Sequence, residues 1–434
     1  MTLNKRIYNI KAFLYATFSR LKFNLGGQLG ANEIFAILDS FSIKGWRNLY
    51  SNVPDIKKIN LAYLVILLSQ MMSDLVNHSS PNNFIRGWAN IVMAIIVTNF
   101  LTKLLWNNST AILYYLIGSI VTVAFFGPEL DDFVLEQMGF FKFTLVPVLN
   151  SVLMLVSWYL LKKSPHHKIN LIFLFLAYSL FNFTFDSRST GLVFIMISFF
   201  IYRRDILRNL SLKNSIPYVI VILVVFQGLY SFYITEVLAG NIGGEHSKKQ
   251  LVRTSNPYNP INLLLSGRSE VYVATVAIAD KPIFGHGSWA IDPGGKYTLL
   301  AYKMHGEEEK FDTRIQSMEG QLIIPSHSVL MGVWMTSGLL GFIAMMYIVI
   351  LFYKRGFFLL KSIAIQNSPF FPLIIFYLTS SAWTFLFSPL PHIKQTLPII
   401  IAFIIVIYRK LEISNSRELQ RKRYHAKSQV TFVE

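Results

Sequence analysis

The chain has 434 residues, a mean hydropathy of +0.45, 53% hydrophobic and only 15% charged residues, and a formal net charge of +17. A soluble chain of this length makes two or three domains and carries more charge, so composition excludes an ordinary globular protein. The absence of cysteine excludes disulfides, thiolate metal sites and cysteine nucleophiles.

In chain order, the first feature is a basic, periodic N-terminus. Ile7, Ile10, Phe13, Leu14, Phe18, Leu21 and Leu25 recur at helical spacing, with Lys5, Arg6, Lys11, Arg20 and Lys22 among them. The cations interrupt any signal-peptide core, so the spacing predicts an amphipathic helix lying on anionic membrane lipid. The apolar core between Glu33 and Trp46 is too short to span.

Beyond it, apolar blocks recur at about the length that crosses a bilayer, roughly 17–25 residues. They predict spans near 59–78, 85–105, 111–126, 143–161, 169–185, 189–202, 216–236, 328–353, 370–387 and 392–408. The expected fold is an all-α integral membrane protein with about ten transmembrane helices. Residues 1–58 form a cytoplasmic or interfacial region and 59–237 hold the first seven spans. Residues 238–327 form one large outer loop, 328–408 hold the last three spans, and 409–434 are a basic tail. Placing both termini and alternate loops in the cytoplasm puts 27 of the 40 Lys and Arg there, a positive-inside pattern. The net charge therefore orients the protein and touches anionic lipid; the tail segment "RELQRKRYHAK" is a solvated juxtamembrane stretch, and no nucleic acid is expected.

Three side chains stand out on the outer side. Arg188 lies in "FDSRSTG", Arg268 in "LLLSGRSEVY" and His327 in "PSHSVLMGVWMTSGLLG". Each alone has an ordinary explanation: a cation reaching for headgroups, a loop residue pairing with Glu270, a residue at a helix start. Together they are a set of two planar forks that bind phosphate oxygens and one ring that titrates near neutrality. Pro325 favours a turn before a helix start, which would hang His327 at the helix mouth. Gly332, Gly338 and Gly341 read as small residues that let helices approach.

The stretches "SRSTG", "SGRSEVYVATVAIADKPIFGHGSW" and "HSVLMGVWMTSGLLG" resemble, in order and spacing, the signatures of the O-antigen polymerase and O-antigen ligase superfamily. These are bacterial membrane glycosyltransferases with a large periplasmic loop before the late helices. The resemblance covers under a fifth of the chain. It implies catalytic roles for Arg188, Arg268 and His327 without metal or other cofactor. It also implies an inner-membrane location, a periplasmic active site and a polyprenyl-pyrophosphate-linked glycan donor with a glycan acceptor. A chain-length regulator is a further partner it admits. Two departures exist: Ser328 stands where polymerases often have Asn, and family members commonly have about twelve spans.

Other candidates rank lower. "GPELDD" offers Glu129, Asp131 and Asp132, either a metal-binding set or a solvated acidic loop. "FGHGSW" with His286 lacks the Lys-Ser/Thr of a nucleotide loop. "HGEEEKFD" is an exposed charge run. Asp74 either pairs with Arg86 or shapes the cavity.

Overall fold

The computed structural model describes residues 3–24, 28–40, 43–127, 140–185, 187–208, 268–305 and 322–430, with positions 224, 227–228, 230–242, 248, 251–252, 256–260 and 262. It is 84% helical. A three-residue hairpin, β1 (Lys22–Asn24) with β2 (Gln28–Gly30), is antiparallel.

The helices are α1 (Leu3–Thr17), α2 (Ala31–Ser40), α3 (Ile43–Asn52), α4 (Pro54–Val76), α5 (Pro81–Asn107), α6 (Ala111–Phe126) and α7 (Val146–Lys163). They continue with α8 (Lys168–Thr184), α9 (Arg188–Tyr202), α10 (Arg204–Arg208), α11 (Ser269–Asp280), α12 (Lys296–His305) and α13 (Val329–Lys361). The last are α14 (Ile363–Gln366), α15 (Phe371–Phe387), α16 (His392–Gln395) and α17 (Leu397–Val430). Proline opens α4, α5, α7 and α15, where its missing N–H has no helical partner to lose. α4, α5, the Phe141–Lys163 helix and α13 are long and apolar enough to cross a membrane, while α6, α8, α9 and α15 are apolar but shorter. Most of the expected span at 216–236 lies outside the described residues, which show helix at 230–239.

The centre of the bundle is α17. From Leu397 to Val406 its apolar side chains are buried on every side, as a helix without a polar face must be. It packs on α4, α5, α13 and α15. Long-range polar contacts fix the direction of its neighbours. Asn60 on α4 donates to Asn99 of α5 at 2.7 Å and to Tyr50 of α3 at 2.9 Å. Arg355 on α13 clamps Asp55 of α4 through Nε (2.7 Å) and Nη2 (3.2 Å) and donates to Tyr408 of α17. Because Ser69 of α4 meets Ser337 near the start of α13 while Asp55 meets Arg355 further along it, α4 and α13 run antiparallel.

The N-terminal helix goes beyond expectation. α1 buries Ala12, Tyr15 and Ala16 and packs along α6, while Ile7 and Ile10 stay exposed. Gly118 makes the close approach possible, since a Cβ there would stand 2.4 Å from the Phe13 carbonyl. Asn9, also buried, accepts from Asn108 at 2.7 Å.

A departure from expectation lies in α13. Gly338 has φ 71 and ψ −170, a conformation essentially reserved for glycine, and the helix breaks there. An unbroken helix would bond the Leu339 N–H to the Met335 carbonyl. Here Leu339 donates to the Ile283 carbonyl at 3.0 Å, and Met335 accepts from the His286 N–H at 2.6 Å. Both halves of one helical hydrogen bond are thus made by the segment after α11. Ser69 donates to the neighbouring Ser337 carbonyl at 2.5 Å. Gly338 is therefore a break filled by another segment, not a simple packing glycine.

The Gly338→Ala protein should be less stable by at least about 2 kcal/mol, from backbone strain and overpacking, because its Cβ would meet the Ile283 oxygen at 2.0 Å. Melting of the detergent-solubilised protein checks this. Gly332→Ala, whose Cβ meets only side chains, Leu390 at 3.3 Å and Ser326 at 3.4 Å, should change it far less.

Candidate functional site

The long loop after the seventh predicted span has structure of its own. α11 lies within it and packs on α12 and on α13. Val273, Ala277, Ile278, Ala290, Tyr297, Ile324 and Met335 form a separate apolar cluster. Asp292 organises the turn into α12, accepting from the backbone of Tyr297 (3.1 Å) and Thr298 (2.6 Å) and from the Thr298 hydroxyl (2.7 Å).

Residues 284–289 are a docked backbone. Gly285 and Gly287 have φ +75 and +85, and a Cβ on Gly285 would meet the Met335 oxygen at 2.6 Å. His286 bonds the Ala277 carbonyl through Nε2 at 2.7 Å, which makes Nε2 the protonated nitrogen, and its ring stands edge-on to Tyr297. Burial pulls its pKa below the usual histidine range. Asp74, near the end of α4, anchors the next residues. It accepts from the Ser288 N–H (2.6 Å), the Ser288 hydroxyl (2.7 Å) and Trp88 Nε1 (2.7 Å). Gln70 adds a 2.7 Å bond to the Ser288 hydroxyl. Asp74 is therefore the anchor of this loop rather than simply a partner of Arg86.

This docking fixes where α11 begins, and Arg268 is its N-cap residue. The Arg268 guanidinium lies 5.6 Å from the centre of the Trp383 ring, near the end of α15. Arg188 is the first residue of α9, and its guanidinium lies 5.7 Å from the Tyr233 ring. The tight turn before it depends on Gly191, whose absent Cβ would press on the Phe183 ring at 2.9 Å. The two cations feel each other. Burial lowers the pKa of Arg268, Glu270 opposes that, and the charge of Arg188 adds a smaller lowering.

His327 precedes α13. Ser328 is the N-cap and accepts from the Met331 N–H at 3.2 Å, so it does for the helix what an Asn there would also do. The same hydroxyl donates to the Phe385 carbonyl of α15 at 3.2 Å. Phe385 lies two residues beyond Trp383, the platform of Arg268. The end of α15 is thus common ground: Arg268 rests on it, and the residue after His327 is bonded to it. Arg188 belongs to the same end because α9 packs on α15 and its charge reaches Arg268. All three side chains are half-buried.

The aromatic surroundings were not singled out from sequence. The Trp383 and Phe387 rings meet tilted at 48°, with 4.7 Å between centres, and Tyr230 and Tyr233 lie beside Arg188. Their only signal was their place at the ends of apolar blocks, where aromatics are common. Glu129, Asp131 and Asp132 of "GPELDD", and the carboxylates of "HGEEEKFD", lie outside the described residues. Among the described residues no three His, Asp or Glu side chains come together as a metal site. Chemically, the arrangement offers two half-buried guanidiniums suited to a phosphate group and aromatic surfaces beside them, with His327 preceding the helix that Ser328 ties to the same end of α15.

No protein-family model matches the chain, and no curated protein matches it either.

Replacing Asp74 by Ala leaves the Ser288 N–H and Trp88 Nε1 without their acceptor, at about 1–3 kcal/mol for each buried group. Hydrogen exchange should accelerate at residues 283–289, while amides of α13 beyond residue 345 keep their protection.

Proposed function

We propose that the chain is a membrane glycosyltransferase that works as an O-antigen polymerase, transferring a growing glycan from polyprenyl pyrophosphate to a lipid-linked repeat unit. The observation that carries this reading is the meeting at the end of α15, where Arg268 rests on Trp383 and Ser328, the residue after His327, bonds the Phe385 carbonyl. The motif resemblance and the positive-inside charge pattern support it. On this reading the chain crosses the bacterial inner membrane about ten times, with both termini cytoplasmic and the site periplasmic.

The reaction follows from the residue types. The two guanidiniums hold the pyrophosphate and stabilise the charge that builds as the bond between sugar C1 and phosphate oxygen breaks. The bonding pair leaves with the pyrophosphate. The acceptor hydroxyl attacks C1 from the opposite face, so the anomeric configuration inverts, and its proton passes to His327. Trp383 and Phe387 supply flat surfaces beside the donor. No metal is required, because the cations do its electrostatic work. A ligase that passes the finished glycan to lipid A core uses the same chemistry and differs only in the acceptor.

One observation favours a transporter, since broken helices line many transport paths. The break at Gly338, however, is filled by backbone from residues 283–286 rather than opened to a cavity. That filling favours a rigid site over a moving gate.

Synthetic lipid-linked repeat units supplied with and without lipid A core test the reading. Lipid-linked polymer identifies a polymerase and glycan on the core identifies a ligase. Movement of donor across liposomes with no glycosidic bond formed overturns both. His327→Ala should fold normally and slow transfer by about 10²–10⁴-fold, the worth of general-base help. Arg268→Lys keeps the charge and loses the fork, and a large drop in turnover is expected; near-normal turnover would contradict bidentate phosphate binding.

A further inference from the structure

The opposite end of the bundle holds a cavity that the proposed transfer does not use. Its volume is about 550 Å3, and it lies between Trp106 at the end of α5 and Lys410, Ser414, Arg417, Glu418 and Arg421 on α17. The α17 residues recur at helical spacing and so share one face. Here the helix changes character: it is buried all round to Tyr408 and exposed from Ser414 to Arg421. A tryptophan at such a boundary is typical of the level where lipid headgroups lie.

Lys410 sits at the deep end of the cavity. Its ammonium donates to the Leu105 carbonyl (3.1 Å) and the Ser109 hydroxyl (2.6 Å) and lies 5.7 Å from the Trp106 ring. An ammonium has three protons, so one remains. Burial and the nearby Lys5 charge pull its pKa down to about 8, as expected for a cation that still needs an anion. Glu412, the nearest carboxylate on its helix, is engaged by Arg409 and by Tyr408 at 3.0 Å. The lining therefore sets three cations against one carboxylate, Glu418.

We propose that this cavity binds a phosphate group, carried by the headgroup of an anionic phospholipid. The phosphate sits against Lys410, Arg417 and Arg421, and the acyl chains follow the apolar surface beside Trp106. Free phosphate has the same charge chemistry, but the tryptophan and the apolar helix beside the cations favour the lipid.

The full chain in mild detergent is offered phosphatidylglycerol and phosphatidylcholine in equal amounts, and bound lipid is counted by native mass spectrometry. In parallel, melting is followed with inorganic phosphate. Wild-type protein should retain phosphatidylglycerol several-fold over phosphatidylcholine. Arg417→Gln/Arg421→Gln, both exposed positions, should lose that preference without a change in lipid-free melting, and Lys162→Gln/Lys163→Gln at the end of α7 should keep it. A phosphate-induced rise in melting temperature, lost in the arginine variant while lipid retention is equal in both, keeps the phosphate site and overturns the lipid as its source. Equal lipid retention and equal phosphate response in wild type and variant overturn the proposal.

Discussion

The hydrogen bond that α13 gives up at Gly338 governs the rest of the arrangement. An apolar helix has no water to satisfy a freed N–H or carbonyl, so an interruption is tolerable only where protein atoms replace the lost partner. Ile283 and His286 are that replacement. Their docking pins the segment after α11, Asp74 and Gln70 hold its far side through Ser288, and the start of α11 is set in turn. Arg268 sits at that start and therefore comes to rest on Trp383 of α15. The position of one candidate phosphate-binding side chain thus traces back to a missing Cβ in a helix about seventy residues further along the chain.

The other end of the bundle is held by charge rather than by backbone. Arg355 joins α4, α13 and α17 through Asp55 and Tyr408. Arg204 donates to the Gln366 carbonyl at 3.1 Å, and Arg208 to the Gln366 side chain at 2.9 Å, tying α10 to α14. The two ends therefore differ in kind. One is a lattice of arginine contacts with a basic cavity at its edge. The other is a capped surface where half-buried arginines lie against aromatic rings near the start of α13.

Much of the helical layout was legible in the sequence because apolar length is a local signal. α6 coincides with its apolar block, and α8, α9 and α15 fall within a residue or two of theirs. α13 runs past the expected end at 353 because Arg355 finds Asp55 and Tyr408 and need not end the helix. The break at Gly338 was not legible, because a glycine in an apolar helix reads first as a packing residue and its partners lie far upstream. The burial of α1 on α6 was hidden for the same reason: an amphipathic stripe states that a face will be covered, not by what. Of the candidate site, the two arginines and His327 stood out because polar and charged groups are scarce here, whereas Trp383 and Tyr233 were indistinguishable from the many other aromatics.

The proposed transfer requires Arg188, Arg268 and His327 to face one compartment at one end of the bundle. The chain contains no cysteine, so Arg188→Cys, Arg268→Cys and His327→Cys can each be tested singly with a membrane-impermeant maleimide on oriented vesicles. All three should react from the same side, and the Arg188→Cys/Arg268→Cys pair should be joined by a short bifunctional maleimide. Labelling of any one from the opposite side, or a pair that the reagent cannot bridge, would contradict it.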